Sequence, residues 1–132
     1  MKISRSTQYG LIALGYIAQH GEAGLVMSEA ISKQYNIPLE YLLKILHQLV
    51  RGGVLRSKRG PRGGFSLAKQ PEDINFLQII EAVEGPLRSE LDIAEQTHNE
   101  PFSIKMEDLC KGVIEQVRQT YAAAKLSDVL AA

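Results

Sequence analysis

The sequence predicts a mainly α protein with one small β-hairpin: a winged helix-turn-helix followed by a long C-terminal helix. Three observations carry the prediction. Two helical segments meet at a short turn, Asn36–Pro38, and the second of them is strongly amphipathic. A glycine- and arginine-rich stretch, RSKRGPRGGFSLA over Arg56–Ala68, follows that helix directly. From Ser103 onward, apolar side chains recur at three- and four-residue steps.

Each element has a local cause. Ser4 is the candidate N-cap of a first helix, in which Tyr9, Ile12, Ala13, Tyr16 and Ile17 recur at helical spacing. Gly21 and Gly24 end it, and Leu25–Val26 reads as a short extended piece. Ser28, with Glu29 beside it, is predicted to cap a short second helix. That helix stops near Asn36, because Asn tolerates the left-handed conformation and Pro38 restricts Ile37.

Pro38 fits the first turn of a third helix running to Gly52–Gly53. Leu42, Ile45, Leu46, Leu49 and Val50 form its apolar stripe. Tyr41, Lys44, Gln48 and Arg51 share the opposite face. Val54–Lys58 and Phe65–Leu67 are two strands, with the glycines around Pro61 and Arg62 supplying the turn. Residues 71–84 predict a fourth helix, with Pro71–Asp73 as its start or its lead-in, ending at Gly85–Pro86. Residues 86–102 read as an irregular acidic linker. The last helix runs from about Ser103 to Ala124, with a tail, KLSDVLAA, after it. The predicted organisation is therefore 1–85, 86–102 and 103–132.

The totals bound the function. A chain of 132 residues, 45% apolar and 23% charged, suits one globular domain. The single cysteine, Cys110, excludes an intramolecular disulfide and a zinc site built from several cysteines, and suggests a reducing compartment. The apolar run Gly10–Ala18 lacks a small-residue cleavage pattern, so it reads as helix rather than leader, and no segment approaches the ~18 apolar residues of a membrane span.

Net charge is zero, but residues 1–70 carry ten Lys/Arg against three Asp/Glu, and residues 71–132 carry five against twelve. A basic half concentrates polyanions even on a neutral molecule. The glycine-rich loop matches neither phosphate-binding fingerprint, and no hydrolase or metalloprotease motif occurs, so an enzyme is not expected. Side chains such as Lys44, Arg59, Tyr41, Glu40 and Gln48 are those that meet phosphates and base edges. Ser28, Lys58 and Arg62 join them as candidates for nucleic-acid contact.

Several stretches carry a family resemblance: SRSTQYGLIAL, IPLEYLLKIL, GVLRSKRGPRGGFSLA, PEDINFLQIIEAVEGPL and the terminal LSDVL. With these, the chain resembles the bacterial winged-helix transcriptional regulators of the IscR, NsrR and CymR type, the Rrf-two family. The resemblance implies a cytoplasmic, nucleoid-associated homodimer on a pseudo-palindromic DNA operator, with repression as the default. It implies a third helix in the major groove and a wing in the adjacent minor groove. It places Pro38, Glu40, Tyr41 and Lys44 at base- or phosphate-contacting positions, Arg59 at the wing arginine, and Arg5 and Ser6 where the first helix touches the DNA backbone. It makes the last helix the dimerisation element, with Met106, Leu109, Val113, Val117 and Tyr121 facing the partner.

Many members of that family hold an iron–sulfur cluster on three cysteines in the region where this chain has only Cys110. Residues 86–109 offer carboxylates and His98 instead. The expectation is a protein without cofactor or metal, with an iron–sulfur cluster as the alternative. Cys110 falls on the apolar stripe and reads as a packed thiol, with a sensor role for Cys110 and His98 as the other reading. A regulatory protein or small effector docking on the acidic linker is a further partner class. The competing function is a winged-helix protein-interaction module with no operator of its own.

Overall fold

The computed structural model describes residues 2–21 and 24–130. Helix α1 spans Arg5–His20, α2 Ser28–Tyr35 and α3 Leu39–Arg51. Strands β1, Leu55–Lys58, and β2, Gly64–Leu67, form an antiparallel hairpin in which Leu55 faces Leu67 and Lys58 faces Gly64. A 3-10 turn at Pro71–Asp73 leads to α4, Phe76–Glu84. Then come a single-turn α5, Ile93–Gln96, the long α6, Pro101–Ala123, and a short α7, Leu126–Val129. The mainly helical winged architecture predicted from sequence is the one observed.

The predicted caps hold where the signal is local. The Ser4 hydroxyl accepts from the Thr7 N–H at the start of α1. Asn36 takes up the left-handed conformation, φ 55° and ψ 50°, at the end of α2. Other boundaries differ. Ser28 is the first residue of α2 rather than its cap; Met27 occupies the cap position. Pro38 is the N-cap of α3, one residue outside the first turn. Of the two readings of Pro71–Asp73, the lead-in is observed, because Asn75 and Gln78 close a reciprocal capping box that starts α4 at Phe76. α6 begins at Pro101, since proline suits the first helical turn. The linker is therefore shorter than 86–102, and it contains α5.

The core lies where α1, α3 and α4 meet. Leu14 and Ile17 of α1, Leu42, Ile45, Leu46 and Leu49 of α3, and Ile79 of α4 are all buried. Ile31 of α2, Leu55 of β1 and Phe65 of β2 extend the same cluster. Val50 is only half-buried, at the edge of the stripe. Truncating the fully buried Leu46 to alanine removes packing at the centre of this cluster. Leu46→Ala should cost about 2–5 kcal/mol, read as a lowered midpoint in urea at fixed protein concentration.

Two side contacts fix the hairpin. Val26 exchanges backbone hydrogen bonds with Phe65 in both directions, at 2.9 and 2.8 Å, so the segment before α2 lies against β2. Gly63 and Gly64 are there for close approach. A Cβ on Gly63 would stand 2.0 Å from the Lys58 carbonyl oxygen, and one on Gly64 would stand 2.6 Å from that of Val26.

The tail after α6 returns to the body. The Phe76 N–H donates to the Ala124 carbonyl at 2.9 Å, and the Leu126 N–H to the Ile74 carbonyl at 2.8 Å. Leu126 is buried there, in a contact no sequence pattern announced. The final two alanines of the KLSDVLAA tail lie outside the described residues.

Candidate nucleic-acid interface

The exposed face of α3 is built by its own periodicity. With Leu42, Ile45, Leu46 and Leu49 turned inward, Glu40, Tyr41 and Lys44 turn outward, and all three are exposed. Gln48, on the same face, is half-buried. Pro38 is exposed at the helix start, and its acidic first turn carries Glu40.

Helix α1 adds its N-terminus to this face. The Ser6 hydroxyl and the Tyr41 phenol are 2.6 Å apart, and Tyr9 meets the Tyr41 ring edge-on at 5.6 Å between centroids. Arg5 is exposed one residue before Ser6 and has no ion pair among the described residues. The sequence-predicted residues Arg5, Ser6 and Tyr41 are thus brought together, although they come from different helices.

The wing supplies a second set. Lys58, Arg59 and Arg62 are exposed around the turn between β1 and β2. No ion pair holds any of them among the described residues, which leaves the cations free for anionic partners. Phe65 anchors the hairpin beneath them and meets His47 of α3, ring centroids 5.8 Å apart. Ser28 behaves differently. The residue is 5% exposed, on the wall of a small groove between the α2 start and the wing, near Lys58 and Gly64. It is not displayed on an open surface as the other candidates are.

One feature of this site was not read from the sequence. Glu84, in the last turn of α4, receives the Thr7 hydroxyl at 2.6 Å, the Ser4 N–H at 3.2 Å and a short hydrogen bond from the Ser4 hydroxyl, all on the same carboxylate oxygen. The Ser4 and Thr7 hydroxyls hold its carboxyl below the usual carboxylate range, against a smaller opposing effect of burial. A depressed folded-state pKa adds stability above the unfolded value that is lost as pH falls through the folded value, so the contact is fully formed at neutral pH. The sequence did hold a signal: a carboxylate at the C-terminal end of its own helix is misplaced unless another element uses it.

The last helix shows two faces. Arg118 donates to Glu81 at 2.6 Å and to the Leu87 carbonyl at 3.1 Å, and the Glu107 carboxylate accepts from the Ala94 N–H at 2.7 Å. These contacts seat α6 on α4 and α5. Away from them, Phe102, Met106, Leu109 and Val113 follow at i, i+4, i+7 and i+11, one face of a helix. They are 54%, 51%, 70% and 50% exposed. Val117 and Tyr121, predicted on the same stripe, are half-buried. Phe102 falls in the stretch predicted as linker, because Pro101 reads as a break from sequence and opens α6 in the structure.

Cys110 is half-buried on α6, not enclosed as a core thiol would be. His98 is exposed, with φ 56°, at the turn before α6. Iron–sulfur clusters are held mostly by thiolates. The chain has one, and no group of three His, Cys, Asp or Glu side chains among the described residues is placed to hold a metal. The residues present do not fit a cluster held by a single chain. No helix among the described residues is long and apolar enough to cross a membrane.

The family profile described as Rrf2, iron-dependent transcriptional regulator, matches residues 3–130. A protein of Aquifex aeolicus, named provisionally as an HTH-type transcriptional regulator, is 47% identical over 81 residues, 61% of this chain and 56% of that one. The HTH-type transcriptional regulator IscR of Cereibacter sphaeroides is 38% identical over 86 residues, 64% of this chain and 56% of its own. The match thus spans less than two thirds of the length of these relatives. Among solved structures, CymR, the global cysteine regulator of B. subtilis, superposes with a TM-score of 0.75 at 25% identity, covering 98% of this chain and 95% of that one.

Proposed function

The chain belongs to the Rrf2 family of transcriptional regulators, and from that premise we propose that it binds double-stranded DNA as a homodimer and represses transcription at a pseudo-palindromic operator. The observation that carries the reading is the 2.6 Å contact between Ser6 and Tyr41, which joins the start of α1 to the exposed face of α3. A helix entering the major groove needs such a flank to hold its register on the phosphates. In this reading Glu40, Tyr41, Lys44 and Gln48 face base edges and nearby phosphates. Arg5, Ser6 and Pro38 lie along the backbone. Lys58, Arg59 and Arg62 of the wing reach a minor groove, where arginine is favoured by the narrow, negative channel. Ser28 contributes from its groove between α2 and the wing.

The dimer is formed through α6. Two copies of the Phe102–Val113 face cover one another, with Val117 and Tyr121 at the margin. Its DNA partner places the protein in the cytoplasm, with the nucleoid. We further propose that this member works without an iron–sulfur cluster, although the family's description is iron-dependent. The donor set of one half-buried thiol carries that statement. Cys110 and His98 then remain as groups through which another signal acts.

The test is binding of the purified chain to promoter DNA from its source genome. Selective, salt-sensitive binding is expected, unchanged by an iron chelator and equal in air and under anaerobic conditions. Binding to every promoter no better than to random-sequence duplex, in both atmospheres, would sink the regulator reading. Loss of selective binding on chelation would sink the cluster-free one.

A further inference from the structure

Two charges in this fold stand at the wrong ends of their own helices. Arg5 is a cation in the first turn of α1, which holds no acidic residue. Glu84 is an anion in the last turn of α4, which holds no basic one. Helix termini favour the opposite signs. The structure resolves both together. Glu84 lies at the N-terminus of α1, where its carboxylate takes the Ser4 N–H and the two hydroxyls of Ser4 and Thr7. It does so without forming an ion pair with Arg5.

The negative charge that the α1 terminus needs is therefore supplied from eighty residues away, and the guanidinium next to it stays unengaged. An acid within α1's own first turn, three or four residues from Arg5, would pair with the arginine. Thr7 is fully buried, so the carboxylate grips a rigid point of the body. One residue before that point, Ser6 reaches Tyr41.

We propose that Glu84 is a positioning residue for DNA binding: by holding Ser4 and Thr7 it fixes the start of α1, and so presents Arg5 and Ser6 to a phosphate. The inference rests on the DNA-binding reading above and adds a residue that touches no DNA itself. The carboxylate oxygen is occupied by three donors, which limits its repulsion of the backbone.

The salt dependence of operator affinity tests it, because the slope counts phosphates neutralised. Glu84→Leu is expected to lower that slope by about one per protomer, as Arg5→Ala does. Adding Glu84→Leu to Arg5→Ala should lower it no further, since both remove the same contact. Glu84→Gln keeps an acceptor oxygen and should retain the wild-type slope. A purely structural role would lower the thermal midpoint without this pattern.

If Glu84→Leu does not fold, the pair Ser4→Gly with Thr7→Val decides. It removes both hydroxyls while keeping a tolerated cap residue and the shape of the buried side chain. A folded Glu84→Leu or Ser4→Gly/Thr7→Val protein with the wild-type slope overturns the proposal, as does an additive loss with Arg5→Ala. If the wild type shows no selective, salt-dependent binding, the DNA reading fails first and takes this one with it.

Discussion

Val113→Asp should turn the proposed homodimer into a folded monomer and remove operator binding. Val113 is half-exposed in the single chain, so an aspartate there stays solvated and the winged-helix core is left intact. In the proposed dimer the same position would be covered, and the carboxylate would lose its water without gaining a partner. Such a charge costs about 3–5 kcal/mol, roughly a hundredfold or more in dissociation constant. A two-fold interface repeats each contact, so the substitution acts on both sides. Losing one of two half-site contacts also forfeits the avidity of a bivalent reader, commonly about 10²–10⁴-fold. Sedimentation velocity at micromolar concentration, with circular dichroism alongside, checks both parts. A dimer that persists would mean that the Phe102–Val113 face is not the interface.

The second large effect is expected from Lys44→Ala combined with Arg59→Ala. The two cations belong to different elements, the outward face of α3 and the tip of the wing, and neither is in an ion pair among the described residues. Each should cost about 1–3 kcal/mol in operator affinity, and the two losses should add because the groups do not touch. Their signatures differ. Lys44→Ala is expected to weaken binding to all sequences through a lost phosphate contact. Arg59→Ala should flatten the preference for sites with a narrow minor groove. Competition titrations with operators varied at the flanks separate the two. Wild-type affinity in the double variant would remove both residues from the interface.

Sequence reading succeeded where a residue's consequence is local. Asn36 turns the chain by its own backbone preference, and Pro38 restricts only its neighbour. The hairpin follows from glycines at a turn between two β-prone runs. The apolar stripe of α3 dictated both the core and, by exclusion, the outward set containing Tyr41 and Lys44. Boundaries stayed open where two local signals competed. Pro71 and Asn75 each mark a helix start, and the capping box with Gln78 makes Pro71–Asp73 the lead-in. Pro101 marks an end to one reading and a first turn to another, and α6 took the second.

Contacts between distant positions escape periodicity for a different reason. Neither the grip of Glu84 on Ser4 and Thr7 nor the burial of Leu126 under the 3-10 turn leaves a periodic trace. Of the candidate site, the residue types were legible, but the way α1 and α3 join at Ser6 and Tyr41 was not. Ser28 illustrates the converse. Its residue type suits a cap or a contact, yet the packing of the wing against α2 nearly closes over it.

The return of the chain after α6 has a mechanical consequence. That helix is fastened near its start by Glu107 and Ser103, along its length by Arg118, and at its far end by the segment leading into α7. A beam held at several points transmits torsion instead of absorbing it. In the proposed dimer, two such beams packed about the symmetry axis would set the angle between the reading heads. The rotational phase of the half-sites would then be dictated by the protein, with a tolerance narrower than the ~10-base-pair turn of the double helix.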